Sequence, residues 1–311
     1  MTTSALLSGR AGRNDDLVPF TLADGTVIGI EDTGPAESPD VIVLVAGWTQ
    51  DHTSWADVVA KVHQLRPDLR VVAFDARGHG WSDAGPRGTN TIDQLADDVA
   101  ELLTGYLAGR RVVLAGHSLG GPIIMALAER HPGVLADQVV GVAMVATSAA
   151  HLGHDVFGLS ARLTAPAMLI TPFVTRIRRM SRARVNLRHP QLIAGFIRQG
   201  FFGPGAATPR NRMRTAAQTS RAHPVTTAAL VDEMLHHDRT HTLAALDRTP
   251  TVVLVGTKDG LTPVAHSRAI VDAMPNAELV VYPRAGHMLP YERPAEVAEQ
   301  LVALVDRRAT A

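Results

Sequence analysis

The sequence predicts an α/β protein: a doubly wound, mostly parallel sheet with a helical cap inserted between two of its strands. Two observations carry this reading. Short, continuous Val-rich runs alternate along the chain with segments of helical period. That alternation is suspended between residues 148 and 247 and then resumes.

Residues 17–22 and 27–32 alternate apolar and polar side chains around Asp24-Gly25, the pattern of a hairpin. Beyond them the register changes. Uninterrupted apolar runs at 41–45, 71–74, 112–115, 139–145, 252–255 and 279–281 suit parallel strands covered on both faces. Helical segments fall between the runs. Residues 55–65 carry Val58, Val59 and Val62, and 92–107 opens with the capping-box pattern Thr91-Ile92-Asp93-Gln94. Residues 119–130 and 264–274 follow further runs, and 296–305 closes the chain after Pro294. The suspended stretch has helical character, no convincing strand, and five of the seven phenylalanines: Phe157, Phe173, Phe196, Phe201 and Phe202. The chain therefore divides into a first core part, 1–147, a cap, 148–247, and a second core part, 248–311.

At 46% hydrophobic and 19% charged, the 311 residues have ample material for one large core. The formal net charge is zero, which gives no reason to expect nucleic acid or a membrane surface as partner. The lack of cysteine excludes disulfides, thiolate chemistry and Cys-ligated metal, and it fits a reducing compartment. The start of the chain has neither the basic residues nor the apolar run of a secretory signal. The longest apolar stretch, 163–174, is broken by Pro166 and Pro172 and falls short of a membrane span. A cytoplasmic protein acting on a small-molecule substrate without a cofactor is expected, and homo-oligomer formation is left open.

Val112-Val113-Leu114-Ala115 leads into Gly116-His117-Ser118-Leu119-Gly120-Gly121 and then into a helix. This is the G-x-S-x-G pattern in a strand–turn–helix setting. A serine there sits on a sharp, strained turn that lifts its hydroxyl clear of the sheet. Side chains two residues to either side would collide, hence the glycines. The helix N-terminus behind it offers N–H groups and a positive dipole end to a developing oxyanion. Asp259 and His287 follow the runs 252–255 and 279–281, outside the carboxyl ends of strands, where open α/β sheets bind ligands. The chain order Ser118, Asp259, His287 is that of nucleophile, orienting acid and base on such a sheet. Taken singly, Asp259 and His287 would also suit a turn or a helix cap.

In combination these motifs resemble the α/β-hydrolase superfamily, in the capped serine-hydrolase branch of lactone and aryl-ester hydrolases, perhydrolases and carbon–carbon hydrolases. Asp75-Ala76-Arg77-Gly78-His79-Gly80-Trp81-Ser82 is similar to the family's D-x-R-G-x-G-x-S loop. Gly116 to Gly121 is similar to its elbow, and Ala285-Gly286-His287 to its histidine loop. The resemblance implies an α/β-hydrolase fold, an acyl-enzyme on Ser118, His287 as base and Asp259 orienting it. It also implies an oxyanion hole made by the backbone N–H groups of Leu119 and Trp48. One position departs from the pattern. The family's His-Gly after the first parallel strand is Ala46-Gly47 here, which removes a side chain that braces the oxyanion loop.

Serine at 118 sets aside the dehalogenase and epoxide-hydrolase chemistry of the family, which uses aspartate there. Met288 follows the histidine where carbon–carbon hydrolases carry tryptophan, so ester or lactone cleavage is favoured. Carbon–carbon hydrolysis, perhydrolysis and biosynthetic acyl transfer or cyclisation are the alternatives, with a small-molecule receptor behind them. The phenylalanines of the cap imply an apolar pocket and a mainly apolar substrate.

Two features stand outside this scheme. Residues 160–222 hold twelve arginines and no Asp or Glu. A solvated outer face accounts for them, and a guanidinium reaching the pocket to bind a substrate carboxylate or phosphate is the alternative. His236, His237 and His241 include an i, i+4 pair, but no third ligand stands out and no metal is expected.

Overall fold

The computed structural model describes residues 17–150 and 201–307. Its strands are β1 Val18–Thr21, β2 Val27–Thr33, β3 Asp40–Val45, β4 Arg70–Phe74, β5 Arg111–His117, β6 Val139–Val145, β7 Thr251–Gly256 and β8 Glu278–Tyr282. They form one sheet in the order β1-β2-β4-β3-β5-β6-β7-β8. β2 pairs antiparallel with β1 and β4, and the remaining neighbours are parallel. The alternating hairpin and the continuous apolar runs thus take the two kinds of strand that their patterns predict, except that 279–281, expected to be covered on both faces, forms the edge strand β8 and leaves Val281 exposed.

The helices among the described residues are α1 Ala56–Leu65, α2 Ile92–Glu101, α3 Gly120–Arg130, α4 Pro132–Gln138, α5 Pro209–Arg221, α6 Pro224–His236, α7 Leu243–Leu246, α8 Val264–Ala273, α9 Leu289–Glu292 and α10 Pro294–Asp306. Successive residues of β3 point to opposite faces of the sheet. Val41, Val43 and Val45 join Leu95 of α2 and Ile123 of α3 in one core. Ile42 and Leu44 join Val58 of α1 and Leu301 of α10 in the other. A strand covered on both faces has no polar side to show, which is why its sequence runs without interruption. Each such side chain contributes about 1.5–3 kcal/mol on burial.

The chain leaves β3 for β4 on one side and returns as β5 on the other. The connections therefore part at the carboxyl ends of β3 and β5, the place where a crevice opens in a sheet of this type. Between β6 and β7 the described residues form α5, α6, a 3₁₀ turn Thr240–Thr242 and α7, with no strand among them. An antiparallel bridge between Ala150 and Asp238, with Arg239 N donating to the Ala149 carbonyl at 2.8 Å, closes the neck of this segment. Phe157, Phe173 and Phe196 lie outside the described residues. No helix of the described residues is long and apolar enough to cross a membrane.

Two local features differ from expectation. The helix expected over 92–107 is α-helical to Glu101 and then widens into a π turn, Leu102–Tyr106. Leu107 N donates to Leu102 O, five residues back, and Phe20 from the hairpin lies against Gly105, where a Cβ would stand 3.2 Å from its ring. Secondly, α4 has no periodic signal. It begins at Pro132, and Gln138 Nε2 donates to the carbonyls of Leu103 (3.1 Å) and Leu107 (3.0 Å) at the frayed end of the π turn.

The loop after β4 is pinned by a buried charge. Arg77, wholly buried, donates from Nε and Nη2 to Asp98 on α2 (2.6 and 2.5 Å) and from Nη1 to Asp24 in the hairpin turn (2.9 Å). Burial pushes the Asp98 carboxyl above its ordinary range, with Arg77 opposing that shift. Removing one partner of such a pair leaves the other charge buried and uncompensated. Arg77→Met is therefore expected to lower unfolding free energy by about 3–5 kcal/mol, read by urea denaturation. A loss below about 1 kcal/mol would show that the pair behaves as an exposed one.

Candidate active site

Ser118 stands at the end of β5 with φ of 53°, a left-handed conformation that costs a non-glycine residue about 1–2 kcal/mol. Its neighbours hold it there. Ser118 N donates to Val145 O (2.9 Å), while Ser118 O accepts from Gly121 N (3.0 Å) and from the Thr147 hydroxyl (2.7 Å). The elbow glycines have the steric cause that the motif suggests. A Cβ at Gly116 would press on the Gly120 carbonyl at 2.5 Å, and one at Gly120 would stand 2.7 Å from Val45 O. Leu119 then caps the start of α3, with its N–H at the helix's positive end.

The turn after β3 lies against this elbow: a Cβ at Gly47 would come 3.2 Å from Ser118 Cβ. Trp48 follows, its indole N–H donating to Thr227 O of α6 at 2.9 Å. In place of the family's histidine brace, Gln50 fastens the turn. Its backbone N–H donates to Gly47 O (3.0 Å), its Oε1 accepts from Gly47 N (3.2 Å), and its Nε2 reaches Met288 Sδ (3.5 Å). Nothing local in the sequence marks Gln50 for this role. A polar residue three positions beyond the unusual Ala46-Gly47 was the available signal. His117 Nε2 donates to the His287 carbonyl (2.9 Å), and burial, with the neighbouring His287, pushes its pKa down to about 3. His117 thus braces the elbow against the histidine loop, with its Nδ1 2.8 Å from Gln50 Oε1 on the other side.

Asp259 and His287 meet as their order suggests. His287 Nδ1 donates to Asp259 Oδ2 at 2.9 Å. The carboxylate has three further donors: Leu261 N (2.9 Å) and Thr262 N (2.8 Å) on Oδ1, and the Thr262 hydroxyl (2.7 Å) on Oδ2. Burial alone would raise the Asp259 pKa, but His287 and the Thr262 donors outweigh it and hold the carboxyl below its ordinary value. An acid so placed is anionic throughout the neutral range.

The histidine loop is gripped from behind by the strap 201–203. Phe201 O accepts from His287 N (2.9 Å) and Met288 N (3.1 Å), and its ring stands edge-on to the His287 ring at 6.2 Å. Glu292 Oε2 accepts from Gly286 N (2.8 Å) and Gly203 N (3.0 Å), with burial raising its pKa. Phe202 turns away from this edge and packs with Tyr291, Ala216 and Met288. Of the two phenylalanines of the insertion among the described residues, then, Phe201 lies against the histidine and Phe202 behind it. A cleft opens between core and insertion, lined by Ser118, Leu119, Thr147, Thr262, Met234 and His237 among others.

Among the described residues, His236 and His241 take separate partners. His236 Nδ1 bonds to Asp232 O, and His241 lies 3.3 Å from Glu129. Among the described residues, Asp51, His52 and Asp75 have ligand atoms close enough for a metal ion. Their atoms are engaged otherwise. Asp75 accepts from His52 N (2.8 Å), His52 Nδ1 (2.7 Å) and Trp81 N (2.8 Å), and Asp51 from Thr53 and Arg221. The group fastens loops to one another.

Comparison with known proteins agrees with this fold. A model described as the alpha/beta hydrolase family matches residues 42–300. An uncharacterised protein of Mycobacterium tuberculosis is 29% identical over 94% of this chain and 83% of its own. A bifunctional esterase/perhydrolase of Acinetobacter calcoaceticus is 26% identical over 92% and 98%. The solved structure of a thermophilic esterase from Thermogutta terrifontis superposes with a TM-score of 0.73 at 27% identity, covering 94% of this chain and 98% of that one. With an eight-stranded sheet of this order and a family model spanning most of its length, the chain belongs to the alpha/beta hydrolase family.

Proposed function

We propose that this hydrolase cleaves a carboxylic ester or lactone of a mainly apolar small molecule through an acyl-enzyme on Ser118. The observation that carries the reading is the 2.9 Å bond from His287 Nδ1 to an anionic Asp259, together with Ser118 held on a left-handed turn at the end of β5. The carboxylate fixes the proton on Nδ1, which leaves Nε2 with a lone pair for the Ser118 hydroxyl. As Oγ attacks the acyl carbon, its proton passes to Nε2 and negative charge moves to the carbonyl oxygen. The N–H groups of Leu119 and Trp48 receive that charge. Nε2 then protonates the leaving alcohol; in the second half it takes a proton from water as the water oxygen attacks the acyl carbon, and returns that proton to Oγ as the C–Oγ bond breaks and the acid leaves. Asp259 orients the imidazole and stabilises its cationic form throughout.

Two observations support an apolar substrate. The Thr147 and Thr262 hydroxyls beside the cleft spend their protons on Ser118 O and Asp259, and Leu119 and Met234 add apolar wall. The segment 148–247 serves in this reading as the cap, with α6 contributing Met234 and the residue after it, His237, to the cleft. The relatives named as esterase and perhydrolase are consistent with acyl chemistry of this kind.

Ser118→Ala is expected to abolish hydrolysis of a p-nitrophenyl ester while leaving the thermal unfolding midpoint within a few degrees, and a fluorophosphonate should label the wild type once, at Ser118. Label at another residue, or turnover by the alanine variant, would refute the reading. A second expectation concerns Thr262, whose hydroxyl is a donor to a charged acceptor worth about 1.5–3 kcal/mol. Thr262→Val should lower kcat/KM roughly tenfold to a hundredfold, and Thr262→Ser should restore it. Equal activity of both variants would show that the third group on Asp259 is dispensable.

A further inference from the structure

The arginine-rich stretch has a use that neither a solvated face nor a substrate anchor describes. On α5, Arg214, Gln218 and Arg221 recur at i, i+4 and i+7 and so share one face. That face grips the segment that follows Trp48. Arg214 donates to Asp57 Oδ2 (2.5 Å) and Thr53 O (3.1 Å), and its guanidinium sits 4.6 Å over the Tyr291 ring. Gln218 Nε2 donates to the Thr53 hydroxyl (2.8 Å), and the hydroxyls of Thr219 and Thr49 lie 3.2 Å apart. Arg221 donates from both Nε (2.9 Å) and Nη2 (2.5 Å) to Asp51 Oδ2.

The last contact differs from the others in kind. Asp51 is wholly buried, and its two oxygens face two ways. Oδ1 caps the short helix His52–Trp55 through Thr53 N (3.1 Å), while Oδ2 takes the guanidinium of the insertion. The backbone between Trp48 and Asp51 is itself under strain, with Thr49 at φ 62°. Such a conformation persists where its surroundings over-determine it. Gln50 holds the turn from the core side and Arg221 holds it, through Asp51, from the insertion.

We propose that Arg221 is a positioning residue: acting through Asp51, it holds the Trp48 N–H at the angle an oxyanion requires, so that the insertion completes the oxyanion hole. The inference rests on the reading of Ser118 as nucleophile. A donor useful to an oxyanion must be held to within about 0.5 Å. Without Arg221 the Asp51 carboxylate is buried with no opposing charge from α5, and it can recover solvation only by dragging the 48–51 turn outward.

The test compares a p-nitrophenyl ester with its thiono counterpart on the full chain. Sulfur is larger than oxygen and a poorer acceptor, so the ratio of the two kcat/KM values reports how well the hole fits oxygen. Arg221→Ala is expected to lower kcat on the ester roughly tenfold to a hundredfold, somewhat less than deletion of a donor, with KM little changed. The thionoester rate should move less than about threefold on the same scale, so the ratio collapses. Asp51→Asn should give the same collapse, and the double variant should be no worse than either single one. Fluorophosphonate labelling at Ser118 should remain complete in all of them. If Arg221→Ala does not fold, Arg221→Lys and Asp51→Asn carry the measurement. An equal fall on both substrates, or strictly additive losses in the double variant, overturns the proposal and leaves Arg221 as a tether. Absence of label at Ser118 in the wild type overturns the nucleophile itself and the proposal with it, a result separate from either of the others.

Discussion

α3 starts so close to β3 that the Val45 carbonyl oxygen would stand 2.7 Å from any Cβ at position 120. This approach of two backbones governs the site. It forces the chain to turn from β5 into α3 within two residues, and the turn is what gives Ser118 its left-handed conformation. It also sets the loop after β3 beside the loop after β5, because the two strands are neighbours in the sheet. A serine oxygen and two backbone N–H groups can therefore converge without any long side chain being asked to reach. The strain of the turn, about 1–2 kcal/mol, is spread over hydrogen bonds that a buried backbone must form in any case.

The remaining groups arrive on β7 and β8, and here the constraint is charge. Asp259 is nearly completely buried, and a lone carboxylate in that position would take up a proton. Four donors keep it anionic, three of them supplied within three residues of its own position. The acid is thus held by its own loop, and His287 is the one distant group it engages. His287 is in turn fixed on its backbone by Phe201 and on its carbonyl by His117, so ring orientation does not depend on Asp259 alone. His287 is positioned by elements from three separate parts of the chain.

Much of this was legible in the sequence, for reasons that can be stated. Strands covered on both faces have no solvent side, so β3, β4 and β5 declare themselves as unbroken apolar runs. The elbow is legible because steric exclusion writes glycine at 116 and 120. What was illegible depends on contacts between distant positions. The π turn after Glu101 accompanies a ring from the hairpin against Gly105. Gln50 braces the turn after β3 by meeting Met288, 238 residues away. A count of rings gives no sign that the Phe201 carbonyl takes two N–H groups of the histidine loop. Counting phenylalanines located an apolar segment but could not say which atoms of it would face the chemistry.

The arginine count has the same lesson in sharper form. Twelve cations in one stretch and a surplus of anions elsewhere say that the two parts attract, and nothing about where. Most ion pairs among the described residues lie at the surface, such as Arg66 with Asp68, and exposed pairs contribute little because water serves both partners nearly as well. The pair of Arg221 with Asp51 is of another kind, since one member has no access to water. Its energy is less a gain in stability than a penalty on any arrangement that separates the two groups. A contact of that type is poor at strengthening a fold and good at choosing one geometry. One face of α5 against residues 49–57, beside the strained turn at Thr49, is where this half-buried pair lies.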